Sequence, residues 1–195
     1  MSSRLHRLLR LGVRGATLLP SHASDTPLND IFIRALDPAE WRMLRDFRLH
    51  ALRSAPGAFA LSHDACAAWT EGAWRAEISA PTHQIFGLFD GEKLIGITAA
   101  FTWRGDPTGQ TALLAMSYIE PDYRGRGLSN TLYDARLDWI RRSCRRFRAV
   151  RVSHRASNEA SRRANQRHGF VKRGSEPFTW PDGTIEDEVH YELTL

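Results

Sequence analysis

Apolar positions change their period several times along the chain, and each change marks an element. Ile31 to Ala35 reads as a first strand. Asp37-Pro38-Ala39-Glu40 has the chemistry of a helix start: Asp37 as N-cap, Pro38 in the first turn, Glu40 at the capping-box position. Trp41, Leu44, Phe47, Ala51 and Leu52 recur at helical spacing and predict a buried face, until Pro56-Gly57 breaks the helix. Trp69, Ala73 and Ile78 predict a second helix over about Ala65 to Ser79. Runs from Gln84 to Phe89 and from Lys93 to Trp103 read as strands, joined at the hairpin dipeptide Asp90-Gly91.

Gly105-Asp106-Pro107 then turns the chain into an apolar run, Ala112 to Met116, which continues through Tyr118 and Ile119 and is stopped by Pro121. Leu128, Leu132, Ala135, Trp139 and Ile140 return to helical spacing. Arg148 to His154 predicts a strand with Val150 and Val152 on one face. Asn158 to His168 predicts a short helix with Gly169 just past its end. Val171 to Gly174 and Ile185 to Leu195 read as closing strands around the turn Pro181-Asp182-Gly183.

The most informative stretch joins the apolar run to the next helix: Arg124-Gly125-Arg126-Gly127-Leu128-Ser129. Consecutive N–H groups of such a turn, followed by the positive end of a helix, form an anion cradle. Glycine lets the backbone approach a phosphate with no side chain in the way. The cradle therefore predicts a phosphorylated cofactor. A dinucleotide fingerprint would need a third glycine where Asn130 stands, and a P-loop would need Gly-Lys-Ser/Thr.

This block resembles the cofactor motif of the GCN5-related N-acetyltransferase (GNAT) family: Arg or Gln, two residues, Gly, one residue, then Gly or Ala. Arg124 and Gly127 fill the first two marked positions, and Ser129 stands where Gly or Ala is usual. Ile119-Glu120-Pro121 matches the family's strand ending. A second block, from Asn158-Glu159-Ala160-Ser161 to His168-Gly169-Phe170, resembles the family's later helix. The resemblance covers about Ile31 to Leu195 and implies a single α+β domain with a mixed, mainly antiparallel sheet flanked by helices. Its implied element order is β-α-α-β-β-β-α-β-α-β-β. It also implies acetyl-CoA as cosubstrate, with its pyrophosphate held at Arg124, Gly125, Arg126, Gly127, Leu128 and Ser129.

The resemblance further implies that Tyr118 and Ile119 lie beside the acetyl group, where a backbone N–H polarises the thioester carbonyl. Asn158 matches a residue that bonds the pantetheine arm, and it equally suits an N-cap. Two departures concern proton transfer. Relatives carry a Glu on the central strand, whereas Ala112 to Met116 is wholly apolar; Glu120, Asp122, His154 and Tyr118 are the available substitutes. Relatives carry a Tyr as general acid where this chain has Asn165, which can only hydrogen-bond the sulfur.

Composition adds bounds. The 195 residues suit one domain, with 42% hydrophobic and 25% charged residues. No apolar run reaches transmembrane length, and Cys66 and Cys144 are far apart, which fits a reducing compartment and predicts a cytoplasmic protein without a metal site. The net charge of +5 is carried almost wholly by arginine, the lysines being Lys93 and Lys172. Such charge suits an anionic cofactor or a nucleic acid, but no nucleic-acid-binding motif accompanies it. Arg141, Arg142, Arg145, Arg146 and Arg148 read as a solvated face or a contact for the 3′-phosphate of CoA. Residues 1–29 hold Arg4, Arg7, Arg10 and Arg14 and no acid before Asp25, and read as a basic leader outside a domain of residues 30–195. The expected activity is direct acetyl transfer to an amine of a small molecule or a protein, with a homodimer compatible with that role. Ser54 to His63, Phe59 and Trp180 are candidates to shape the acceptor pocket. A catalytically degenerate CoA-binding regulator and a basic nucleic-acid-binding protein are the alternatives.

Overall fold

The structure, a computed structural model, describes residues 30–144 and 146–195; the expected leader and Arg145 lie outside them. The strands are β1 (Ile31–Ala35), β2 (His83–Asp90), β3 (Lys93–Thr102), β4 (Thr111–Ile119), β5 (Ala149–Arg155), β6 (Val171–Thr179) and β7 (Ile185–Thr194). The helices are α1 (Trp41–Ser54), α2 (His63–Ala67), α3 (Glu71–Ser79), α4 (Leu128–Arg142) and α5 (Glu159–Arg167). The strands form one sheet in the order β1-β2-β3-β4-β5-β7-β6. Every neighbouring pair is antiparallel except β4 and β5, which are parallel. This is the mixed, mainly antiparallel α+β sheet expected from the sequence.

The chain enters α1 through the expected capping box. The Asp37 side chain accepts from Ala39 N–H, and Glu40 accepts from Asp37 N–H at 2.7 Å. Arg34 of β1 grips both oxygens of Glu40 at 2.7 Å, which ties the helix start to the sheet edge. Helices α1, α2 and α3 cover the front face through Trp41, Leu44, Leu52, Cys66, Trp74 and Ile78. Helices α4 and α5 cover the back face, where Tyr133, Leu137, Ile140 and Ala164 pack with Leu114, Val150 and Tyr191.

Two elements differ from the sequence reading. The single helix expected near Ala65 to Ser79 is two, because Ser62 and Thr70 each act as an N-cap, accepting from Ala65 and Ala73 N–H. Strand β6 runs on past Gly174 to Thr179. Gly174 sits at a register shift, and Pro177 is tolerated because β6 is the sheet edge.

What positions the site is an irregularity at the sheet centre. Pairing of β3 with β4 slips between Ile97 and Ala99: Ile97 faces Tyr118, and Ala99 faces Ala115. Met116 and Ser117 therefore oppose Thr98 alone, a β-bulge, and Met116 adopts φ of 60°. The extra residue inverts the alternation. Ala112 and Leu114 face back, whereas Tyr118, which shares their parity, faces front into the α1 core. Pairing of β4 with β5 is confined to Thr111–Ala149, Ala112–Val150 and Leu113–Arg151. Beyond it the strands part, with β4 still bonded to β3 and β5 to β7.

Gly96 of β3 lies where the end of β4 crosses closest. A β-carbon there would meet the Tyr118 carbonyl oxygen at 2.8 Å, a backbone atom that cannot swing aside. Gly96→Ala is expected to cost about 1–3 kcal/mol, the range for overpacking, read as a lower urea midpoint at unchanged slope.

Candidate active site

The turn between β4 and α4 begins with a helical turn at Pro121–Tyr123, held when Tyr123 Oη donates to Asp90 Oδ2 at 2.7 Å. Gly125 and Gly127 both take φ of 77°, the left-handed region, and a β-carbon on either would meet nothing within 4 Å. Among the described residues, no group accepts from the backbone N–H of Gly125, Arg126, Gly127, Leu128 or Ser129. These N–H groups lead into the 15-residue helix α4. The glycine turn read from the sequence thus carries a row of N–H groups without an acceptor among the described residues.

Its two arginines point back at the protein. Arg124 Nε donates to the Ile119 carbonyl at 2.8 Å, and its guanidinium lies 5.3 Å from the Tyr118 ring centre. Arg126 Nη2 donates to the Asp122 carbonyl at 2.9 Å, over the Tyr123 ring. Each holds the turn in shape while leaving its charge beside the cradle. Arg141 and Arg142 pair with Asp138 on an exposed stretch of α4, as a solvated face would.

At the front of the parted strands, Tyr118 is buried against Phe47 and Phe59. Its hydroxyl donates to Glu120 Oε2 at 3.4 Å, and the other Glu120 oxygen meets His50 Nε2 at 2.9 Å. His50 was not singled out in the sequence; it lies three residues past Phe47, beside the buried stripe of α1. Further along, Arg155 of β5 ties two loops together. It bonds Glu186, Asp182, Thr184 and, at 3.4 Å, the Gly57 carbonyl. The loop after α1 is thereby joined to the turn between β6 and β7, where Trp180 is buried and donates to the Glu186 carbonyl at 2.9 Å. Both segments expected to shape the acceptor pocket meet at this clamp.

The back of the gap is polar and buried. Arg136 of α4 is 1% exposed, with Nε donating to the Leu132 carbonyl at 3.0 Å and Nη1 to Ser117 Oγ at 2.9 Å. Burial lowers its pKa to about 10, with the neighbouring Tyr133 opposing the shift. Asn165 is fully buried, and its Oδ1 accepts a short hydrogen bond from Tyr133 Oη. Burial also raises the Tyr133 pKa, while Arg136 pulls it the other way. Asn158 Oδ1 accepts from Ser161 N–H at 3.0 Å, the N-cap role. His154 near the end of β5 is buried and stacked on Tyr191 at 5.2 Å; its Nδ1 meets the Arg155 carbonyl at 2.8 Å. That bond fixes the proton on Nδ1, so Nε2 carries the lone pair, and Nε2 is buried without a partner among the described residues.

Comparison with known proteins gives a consistent picture. Residues 43–170 match the model of the acetyltransferase (GNAT) family. No curated protein matches the chain. Among solved structures, an acetyltransferase of the GNAT family from Streptococcus pneumoniae superposes with a TM-score of 0.72 at 20% identity, over 85% of this chain and 99% of its own. The Salmonella typhimurium yncA protein, solved with its cofactor acetyl-CoA, has a TM-score of 0.66 at 20% identity, over 86% and 95%. Spermidine N-acetyltransferase from Vibrio cholerae, solved with CoA and spermine, has a TM-score of 0.65 at 18% identity, over 85% and 96%.

Burial lowers the His154 pKa in the folded protein. The unfolded chain therefore binds a proton first as pH falls below about 6.5, the ordinary histidine value. Stability is full above that value and declines as pH drops toward the folded pKa. A urea midpoint that falls between pH 7.5 and pH 5.5, and a weaker fall in His154→Phe, is the expected result.

Proposed function

The chain belongs to the acetyltransferase (GNAT) family, and from that premise we propose that it transfers the acetyl group of acetyl-CoA directly to an amine of a small molecule or a protein. The observation that carries this reading is the row of unpartnered N–H groups from Gly125 to Ser129, set at the end of a strand that has parted from its parallel neighbour. A pyrophosphate fits that row in charge, in hydrogen-bonding need and in room, since no atom lies within 4 Å of either glycine's β-carbon position. Acetyl-CoA supplies an activated acyl group on a thiol that can leave.

The chain's own residues supply the rest. The gap between β4 and β5, which opens after the paired residues Leu113 and Arg151, gives an extended arm a path through the sheet. Glu120 is the proposed base. Its carboxylate lies at the front end of β4, oriented by His50 and Tyr118, where it can take a proton from an incoming ammonium directly or through one water. Neither cysteine suits a covalent intermediate: Cys66 is buried, with burial raising its pKa, and Cys144 lies beyond α4, away from the gap. Among the described residues, no helix is long and apolar enough to cross a membrane.

The test is release of thiol from acetyl-CoA across a panel of small amines and peptide N-termini, with the product identified by mass spectrometry. Two variants sharpen it. Gly127→Glu puts bulk and negative charge where the pyrophosphate sits, and calorimetry should show acetyl-CoA affinity lost while the melting curve stays cooperative. Glu120→Gln keeps the shape and removes the base. It should lower kcat by roughly a hundredfold, within the range for losing a general base, while acetyl-CoA binds as before. Unchanged turnover would move the base elsewhere, with His154 next in line.

A further inference from the structure

Arg136 is the most deeply buried charge in the described protein, and no carboxylate pairs with it. A guanidinium held this way is costly unless an anion arrives. Its Nη2 has no partner, and neither has Asn165 Nδ2. The two orphaned donors flank one ring: the Arg136 guanidinium lies 4.4 Å from the Tyr133 ring centre, and the Tyr133 hydroxyl bonds Asn165 Oδ1. His168 stacks on the other side of that ring at 4.1 Å. The cluster reaches the gap through Ser117, an exposed residue on the bulge that accepts from Arg136 Nη1 and bonds Thr98 Oγ1 at 2.9 Å. Three donors are buried side by side behind the bulge of β4, two of them without an acceptor among the described residues, and such a set suits a small, soft anion.

We propose that Tyr133, Arg136 and Asn165 form the receiving site for the sulfur that leaves the thioester, and that Tyr133 is its proton donor. This rests on the acetyl-transfer reading above. As the C–S bond breaks, its electron pair goes to sulfur. The Tyr133 hydroxyl turns from Asn165 Oδ1 to the sulfur and gives up its proton, and Asn165 Nδ2 donates a second hydrogen bond. The phenolate left behind is stabilised by Arg136. It regains a proton from the one shed by the amine, relayed through water, so that amine and thioester become amide and thiol with nothing left over. Tyr133 thus does from α4 what Asn165, on α5, has no proton to do.

The test uses the full-length protein in two measurements. The first needs no acceptor. The thiol of CoA bound to the protein is titrated by thiolate absorbance, with free CoA as the reference. The groups facing Tyr133 that bear on this titration are Arg136 of α4 and Arg167 and His168 at the end of α5. The bound thiol should ionise about tenfold more readily than free CoA, a shift of one pKa unit, and Arg136→Met should abolish the shift. If Arg136→Met does not fold, Tyr133→Phe, which removes one oxygen, serves in its place and should shrink the shift. The second is steady-state turnover with whichever amine the panel yields. Tyr133→Phe should lower kcat by about a hundredfold, leave KM for acetyl-CoA within about threefold, and flatten the alkaline limb of the pH profile. An unshifted bound thiol, or Tyr133→Phe turning over at the wild-type rate, overturns the assignment of Tyr133 and Arg136. Absence of any CoA binding by the wild-type protein overturns the cradle reading first, and this one with it.

Discussion

The parting of β4 from β5 after three paired residues is the constraint on which the rest of the site depends. A sheet closes its hydrogen bonds wherever it can, since a buried N–H or C=O without a partner is expensive. Here the two strands are held apart by what they do elsewhere: β4 bends at the Met116 bulge and follows β3, while β5 follows β7. The opening is a consequence of packing on both sides, and it survives because neither strand can reach the other without abandoning its outer neighbour. The same bulge sends Tyr118 forward to Glu120 and His50 and leaves Ser117 facing back to Arg136. One inserted residue thereby separates a front side, where an amine would lose its proton, from a back side, where a sulfur would gain one.

Most of the fold was legible because it is written locally. The capping box at Asp37, the hairpin at Asp90-Gly91 and the helical stripe of α4 are short-range signals, and each stands where the sequence put it. The misreadings were local too. Ala65 to Ser79 has apolar spacing compatible with one helix, but Thr70 offers a second cap and the chain takes it. The cradle was legible for the same reason, since a turn at φ of 77° twice over leaves its glycines in the sequence.

Of the proposed proton-transfer groups, Glu120 was legible as one of four candidates, whereas the cluster around Tyr133 was not, and the reason is physical. Asn165 is legible as a residue that can hydrogen-bond the sulfur without giving it a proton. Its partner Tyr133 lies 32 residues away in the chain, and nothing in a sequence says that α4 and α5 will press those two side chains together. Arg136 carried a faint signal, an arginine on the same face as Leu132, Leu137 and Ile140, where a charge is out of place. His50 carried less, because Glu120 joins it only after the chain has crossed the sheet. Side-chain chemistry assembled from distant segments is the part of a site that periodicity cannot encode.

The turn between β4 and α4 offers a ligand main-chain groups, which every residue except proline possesses. Recognition there is therefore a property of a curve in the backbone and is largely indifferent to which side chains decorate it. Ser129 can stand where a smaller residue is usual, because its N–H still points the same way at the first turn of α4. A change of side chain on the turn would leave those N–H groups in place, whereas the side chains along the gap can change without altering the turn. What the turn offers is stored as shape, and what the clamps and clusters around the gap offer is stored as letters.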